Sequence, residues 1–114
     1  MTDLEKVKKD AFALQYVKNQ TPELCLLAVK QNGIVVHYVK EQTPEICLLA
    51  VQQTGYAIEY IRNQTPELCL LAAKQAGYLY VVEFVQERFK FLCKEEFKYL
   101  SLDEIKTLVP EMFL

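Results

Sequence analysis

Thr21-Pro22-Glu23-Leu24-Cys25-Leu26-Leu27-Ala28-Val29-Lys30-Gln31-Asn32-Gly33 is followed 22 positions later by Thr43-Pro44-Glu45-Ile46-Cys47-Leu48-Leu49-Ala50-Val51-Gln52-Gln53-Thr54-Gly55. A further 22 positions on stands Thr65-Pro66-Glu67-Leu68-Cys69-Leu70-Leu71-Ala72-Ala73-Lys74-Gln75-Ala76-Gly77. Tyr16, Tyr38 and Tyr60 share this register, as do Gln20, Gln42 and Gln64. Self-similarity at a fixed short period is the signature of a stacked array, in which each unit buries its apolar face only against its neighbours.

Local chemistry sets the shape of a unit. Thr21 is suited to an N-cap, Pro22 to the first helical position, where no backbone bond is lost, and Glu23 to the positive end of the helix dipole. Gly33 can take the left-handed conformation that closes a helix, which predicts a first helix from Pro22 to about Gln31 and a second through Val39. In the first helix, Leu24, Cys25, Leu27, Ala28 and Val29 cover more than half the wheel, wide enough for two neighbours. In the second, Ala57, Ile58, Tyr60 and Ile61 form an apolar face opposite Glu59, Arg62 and Asn63. The β-branched run Ile34-Val35-Val36 suggests a strand, but its equivalents Tyr56-Ala57-Ile58 and Phe12-Ala13-Leu14 lack that bias. Helices this short draw their stability from packing between units.

The predicted fold class is therefore all-α: a short helical-repeat array, α-solenoid-like, of about four two-helix units of 22 to 24 residues within one domain. Residues 1–19 form an amino-terminal cap unit, 20–41, 42–63 and 64–87 the central units, and 88–114 the carboxyl-terminal capping helices. Thr2 with Glu5 reads as a capping box, and Asp10-Ala11 in place of Asn32-Gly33 leaves the first segment free to run on as one helix. After Gly77 the register lengthens by two, so that Cys93 follows Cys69 by 24. With neither Gly nor Pro between Gly77 and Ser101, the two helices of this unit either stay separate or fuse into one long helix, followed by a capping box at Ser101 to Glu104 and a last amphipathic helix through Leu108.

Composition excludes several classes of function. The chain has 114 residues, 52% hydrophobic and 25% charged, with net charge −2. It is apolar enough to fold and lacks the basic field that draws proteins to nucleic acid or anionic membranes. No apolar run approaches the ~18 residues of a membrane span, and the first residues carry no signal-peptide pattern, so a cytoplasmic protein is expected. The four cysteines occur one per unit, without the close pairs that chelate zinc. Stacked helices lie about 8–10 Å apart, beyond the ~7 Å Cα separation of a disulfide, so reduced, buried thiols are expected. His37 is the only histidine, which leaves no spare base for a triad and no two-histidine metal site. No catalytic residue, metal ligand or cofactor is predicted.

The remaining candidates are surface positions. Gln15, His37, Glu59 and Glu83 are equivalent, exposed positions of the second helices, accompanied by Lys18, Lys40 and Arg62; this row drifts from mildly basic to acidic along the stack. Tyr16, Tyr38 and Tyr60 read as core. Phe91, Tyr99, Met112, Phe113 and Leu114 stand outside the repeat register and either fold back or dock a partner. The predicted partner-binding set is Gln15, Lys18, His37, Lys40, Glu59, Arg62, Glu83, Phe91, Tyr99, Met112 and Phe113.

The stretch Ala13 to Gly33 resembles the short repeat family catalogued as domain of unknown function 4116, and the likeness extends over roughly residues 11 to 93. That family occurs in large DNA viruses of protists, in intracellular bacteria and in mobile elements. Membership implies a helical repeat and transfers no catalytic residue. Together with the small size of the chain, the resemblance implies a non-catalytic protein-interaction module, narrowed to an anti-CRISPR-like inhibitor of a host or defence protein made by a virus or mobile element. Two other readings are a nucleic-acid-binding repeat using Lys6, Lys8, Lys9, Lys18, Lys30 and Lys40, and a self-assembling structural repeat. The expected partner is a protein; nucleic acid enters only through a ribonucleoprotein target, no membrane is involved, and a homo-oligomer joined through the apolar tail is compatible with each reading.

Overall fold

The computed structural model describes residues 1–114 and contains only helices. Its α-helices are α1 (Asp3–Lys9), α2 (Pro22–Gln31), α3 (Pro44–Gln53), α4 (Pro66–Ala76), α5 (Tyr78–Val81) and α6 (Leu102–Leu108). Between them lie 3-10 helices at Ala11–Tyr16, Gly33–Tyr38, Gly55–Tyr60, Glu87–Cys93, Glu95–Phe97 and Pro110–Phe113. The units stack into a rod of 53 × 24 × 20 Å. In it α2, α3 and α4 pack side by side, and each also rests on the 3-10 helix of the unit before.

The α-helices begin as their sequence dictates. Thr21, Thr43 and Thr65 accept from the amides of Leu24, Ile46 and Leu68 at 3.2, 3.3 and 3.2 Å, each followed by a first-turn proline. The Ser101 capping box is complete. At Thr2 only half of one forms: its hydroxyl accepts from the Glu5 amide and donates to the Glu5 carboxylate.

The second element of the cap unit and of the first two central units is a six-residue 3-10 helix. Buried residues recur every third position, as three residues per turn require, at Ala11, Leu14 and Val17, at Gly33, Val36 and Val39, and at Gly55, Ile58 and Ile61, with Val35 and Ala57 buried in addition. The α-helix before it ends at an extended residue, Asp10, Asn32 or Thr54, with φ between −149° and −155°. Asp10 and Asn32 also cap the 3-10 helix by accepting from the amides of Phe12 and Ile34 at 3.0 and 3.1 Å. Asp10 therefore divides the first segment, where one continuous helix is expected from the sequence.

Gly33 and Gly55 do not take the left-handed conformation expected of them; Gly77 alone has positive φ, at 102°. Close approach is what requires them. A Cβ on Gly33 would stand 2.5 Å from the Ala50 carbonyl oxygen, and one on Gly55 2.9 Å from that of Ala72. In the third unit Ala76 replaces the capping Asn or Thr, so α4 runs one residue further and Gly77 makes the turn instead. The register change begins there.

Residues 78–100 do not form one long helix. After the short α5, the chain bends and continues as 3-10 helices. The helix over Glu87–Cys93 has no side-chain N-cap, the consequence of losing Thr-Pro, and it takes the place beside α4 that α4 takes beside α3.

One apolar core runs the length of the rod, from Val7 through Ala28, Val51 and Ala72 to Leu92 and Ile105. The glutamines shared by the repeats bind its units together. Gln42 donates through Nε2 to the carbonyls of Val36 and Tyr60, at 3.0 and 2.9 Å, and accepts from the Arg62 amide at 3.0 Å. Gln20 and Gln64 repeat the arrangement, and each also accepts from the thiol of Cys25 or Cys69, at 3.6 and 3.8 Å. One side-chain amide thus ties two successive units: it partners the carbonyl of Tyr38, Tyr60 or Phe84 and the amide two residues on, and adds a second bond to the carbonyl of Leu14, Val36 or Ile58, which already accepts a backbone amide.

Candidate interaction surface

The 3-10 helices at 11–16, 33–38 and 55–60 stand next to one another, so their outward residues form a row along the rod. Two outward columns are aromatic or large and apolar. One is Phe12, Ile34, Tyr56 and Tyr80; the other is Tyr16, Tyr38, Tyr60 and Phe84. Tyr16 is 81% exposed, Tyr56 46% and Tyr80 39%. The reading of the repeated tyrosines as core is corrected: Tyr16 lies on the surface, and Tyr38 and Tyr60 are half-buried. A helix of three residues per turn sends the core to positions 11, 14 and 17, which leaves 12 and 16 outside.

The rings touch across units. Phe12 meets Tyr38 at 6.3 Å between centroids, His37 meets Tyr38 at 4.9 Å and Tyr60 at 4.6 Å, and Tyr80 meets Tyr56 at 4.6 Å and Phe84 at 4.9 Å. His37 is exposed within this strip, with an aromatic ring on either side.

Charge grades along the row. Gln15, at the amino-terminal end, donates to the Phe12 carbonyl at 3.1 Å. Glu59 and Glu83, at the other end, are exposed, and both ion pairs of the chain, Lys90–Glu87 and Lys94–Glu96, lie elsewhere. The Tyr80 hydroxyl is pushed above its usual range by desolvation and then by Glu59, Tyr56, Tyr60 and Glu83, so both carboxylates are felt at this ring.

Two of the three basic residues of the row, Lys40 and Arg62, are engaged internally. Lys40 Nζ donates to the Lys18 carbonyl at 2.9 Å, and Arg62 Nη2 donates to the carbonyls of Val39 and Lys40 at 2.9 and 2.8 Å. Of the predicted partner-binding residues, Gln15, Lys18, His37, Lys40, Glu59, Arg62 and Glu83 are all exposed along this one row. Phe91, Met112 and Phe113 come together in a separate cleft, and Tyr99 is 89% exposed with Lys98 Nζ 5.7 Å from its ring. Tyr16, Tyr56, Tyr80 and the 91% exposed Leu79 belong to the exposed apolar surface and are additions to that set.

The thiols are free and buried, and burial raises the pKa of each; Cys69 is pushed up to about 12, by desolvation first and then by Cys93. Thiolate is the reactive form, so blocking by a disulfide reagent at pH 8 is expected to be slow in the native chain and rapid in urea. Because the unfolded thiol ionises near 9.0 and the folded Cys69 only near 12, the unfolded state binds fewer protons in that interval. The urea midpoint is therefore expected to fall as pH rises from about 9 toward 12, the window set by those two values. No group of three or more His, Cys, Asp or Glu side chains is placed to hold a metal ion, and no helix is long and apolar enough to cross a membrane.

The repeated Thr-Pro helix, the extended cap, the 3-10 helix and the bridging glutamine together define a unit that can be compared with known families. Residues 21–65 match the family described as Domain of unknown function (DUF4116). It is the family that the stretch from Ala13 to Gly33 resembles. No curated protein and no solved structure matches the chain. The DUF4116 segment contains α2, α3, the two 3-10 helices at 33–38 and 55–60, and two of the three bridging glutamines, Gln42 and Gln64. Outside it, Gln20 makes the same bridge one unit earlier, so the geometry of the DUF4116 repeat continues beyond the matched residues.

Proposed function

We propose that the chain is a non-catalytic protein-binding module whose contact surface is the 3-10 row. One observation carries this reading: two clusters of touching aromatic residues, Phe12–Tyr38–His37–Tyr60 and Tyr56–Tyr80–Phe84, lie along one side of the stack beside carboxylates that have no ion-pair partner, with Tyr56 and Tyr80 exposed. Tyrosine supplies large contact area at low entropic cost and is enriched where proteins bind one another. Constant core residues beneath variable outward ones are how repeat scaffolds build a specific face. The narrower reading, a small inhibitor of a host or defence protein, rests on the resemblance of the repeat.

The test is affinity capture from lysate of the native host, comparing the wild type with Tyr56→Ser/Tyr80→Ser. Both side chains are exposed, so circular dichroism should be unchanged. Loss of a specific protein from the variant is the expected result. Equal retention by both chains would remove the row from the binding surface. Nucleic-acid binding is read in parallel as salt-sensitive retention of RNA or DNA.

A further inference from the structure

Clefts recur along the rod between successive Thr-Pro helix starts. They have volumes of ≈ 420, ≈ 340 and ≈ 390 Å³, and their walls are mainly Thr, Pro, Glu, Asn and Lys. A fourth cleft stands at the equivalent place beside Pro66, and its character differs. In the lengthened register Phe89 takes the place of Thr65 and Phe91 that of Glu67, so two polar wall residues have become aromatic. This cleft is also partly filled by the chain itself: Met112, Phe113 and Leu114 line it, and ≈ 200 Å³ remains.

The filling is slight. Phe113 meets Phe91 edge-on at 5.3 Å and is half-buried, whereas Met112 is 47% exposed, Leu114 is 107% exposed, and no residue of the 3-10 helix Pro110–Phe113 is buried. One half-buried ring is an anchor weak enough to leave the segment released on the order of several per cent of the time. Two cations flank the site. The Arg88 guanidinium lies 4.5 Å from the centre of the Phe89 ring and Lys106 Nζ 5.7 Å from that of Phe113, and neither belongs to an ion pair.

We propose that this cleft is an exchangeable docking site for a segment of a partner protein that carries a phenylalanine and a nearby carboxylate, and that Phe113 holds the place of that ring in cis while Arg88 and Lys106 stay without an ion pair. The partner's ring takes the place of Phe113 against Phe91, and its carboxylate meets the unpaired charge of Arg88 or Lys106. The other three clefts have leucine, isoleucine or cysteine in their walls but no aromatic ring, so the aromatic cleft occurs once per chain. It is separate from the 3-10 row and does not depend on it.

Met1 and Met112 are the two methionines of the chain, which makes methyl-labelled methionine a direct reporter. The probe is the free peptide Val-Pro-Glu-Met-Phe-Leu, the sequence of residues 109–114. Titrated into the labelled wild type, it should move the Met112 methyl signal toward its position in Phe113→Ala and leave Met1 unmoved. A fluorescent form should bind Phe113→Ala at least about tenfold more tightly than wild type, because the competing segment is gone. Replacing the peptide glutamate by alanine should weaken binding several-fold. A Met112 signal unmoved at millimolar peptide, or equal affinity for wild type and a folded Phe113→Ala, would overturn the proposal. Should Phe113→Ala not fold, the wild-type titration decides alone.

Discussion

Replacing Gln64 by alanine is expected to lower stability by about 3 kcal/mol, seen as a lower urea midpoint with an unchanged slope. Gln64 is 4% exposed and is the only buried polar residue of the chain. Its amide donates to Ile58 and Phe84 at 3.0 and 2.9 Å, and its oxygen accepts from the Gln86 amide at 2.8 Å. Alanine would strand the Phe84 carbonyl and the Gln86 amide at the junction of two units, while the Ile58 carbonyl keeps the Ile61 amide at 3.2 Å; each unpaired buried group costs about 1–3 kcal/mol where water cannot reach it. Partial access of water to the outer groups brings the sum down to the expected figure. Gln64→Glu should also destabilise, because a carboxylate would face two carbonyl oxygens with nothing to donate. Gln75 is the control: it bridges to the Gln52 carbonyl at 2.7 Å in exposed surroundings, and Gln75→Ala should cost under about 0.5 kcal/mol. A Gln64→Ala chain as stable as this control would show that the bridging glutamines do not hold the stack.

Gly33→Ala is expected to cost about 2–4 kcal/mol in thermal unfolding, the range of an overpacked core in which backbone has to move. The added methyl would meet the Ala50 carbonyl oxygen at 2.5 Å and Thr54 Cγ2 at 2.9 Å; the first cannot yield without parting α3 from the 3-10 helix beneath it. Alanine also lowers the entropy of the unfolded chain, which returns roughly 0.4–1 kcal/mol and does not offset such a clash. Gly55→Ala meets its neighbours at 2.9 Å and should cost somewhat less. Gly77→Ala has open space around it, and its cost, about 1–2 kcal/mol, comes from φ of 102° alone. The order Gly33, Gly55, Gly77 is the measurable outcome. An equal effect at all three positions would mean that close approach to the next unit does not set the cost at Gly33 and Gly55.

These glycines show where reading from sequence reaches its limit. The period of 22 revealed that Gly33 and Gly55 are equivalent, and helix-stop chemistry offered a local reason for them. The actual reason is a carbonyl oxygen on the next unit, which local chemistry cannot reveal. The 3-10 helices were nearer to being legible. Buried residues at 11, 14 and 17, at 33, 36 and 39, and at 55, 58 and 61 follow a period of three, but over six residues that pattern is close to the 3.6 period of an α-helix. Choosing the α period rotated the tyrosines into the core and hid the exposed strip at Tyr16, Tyr56 and Tyr80. Gln20, Gln42 and Gln64 repeat strictly, and that repetition was the available signal of a structural role.

What the sequence by itself determined is the repeat: its period, the α-helix starts at Thr21, Thr43, Thr65 and Ser101, the all-helical class, and the burial of the four cysteines. Each follows from interactions within a few residues or from the apolar width of one helix. The tertiary structure decided which glycines the stack needs, how the glutamines join its units, which tyrosines face outward, and which segment fills the last cleft. Those depend on atoms about one unit or more away in the chain, which the repeat brings together only by stacking.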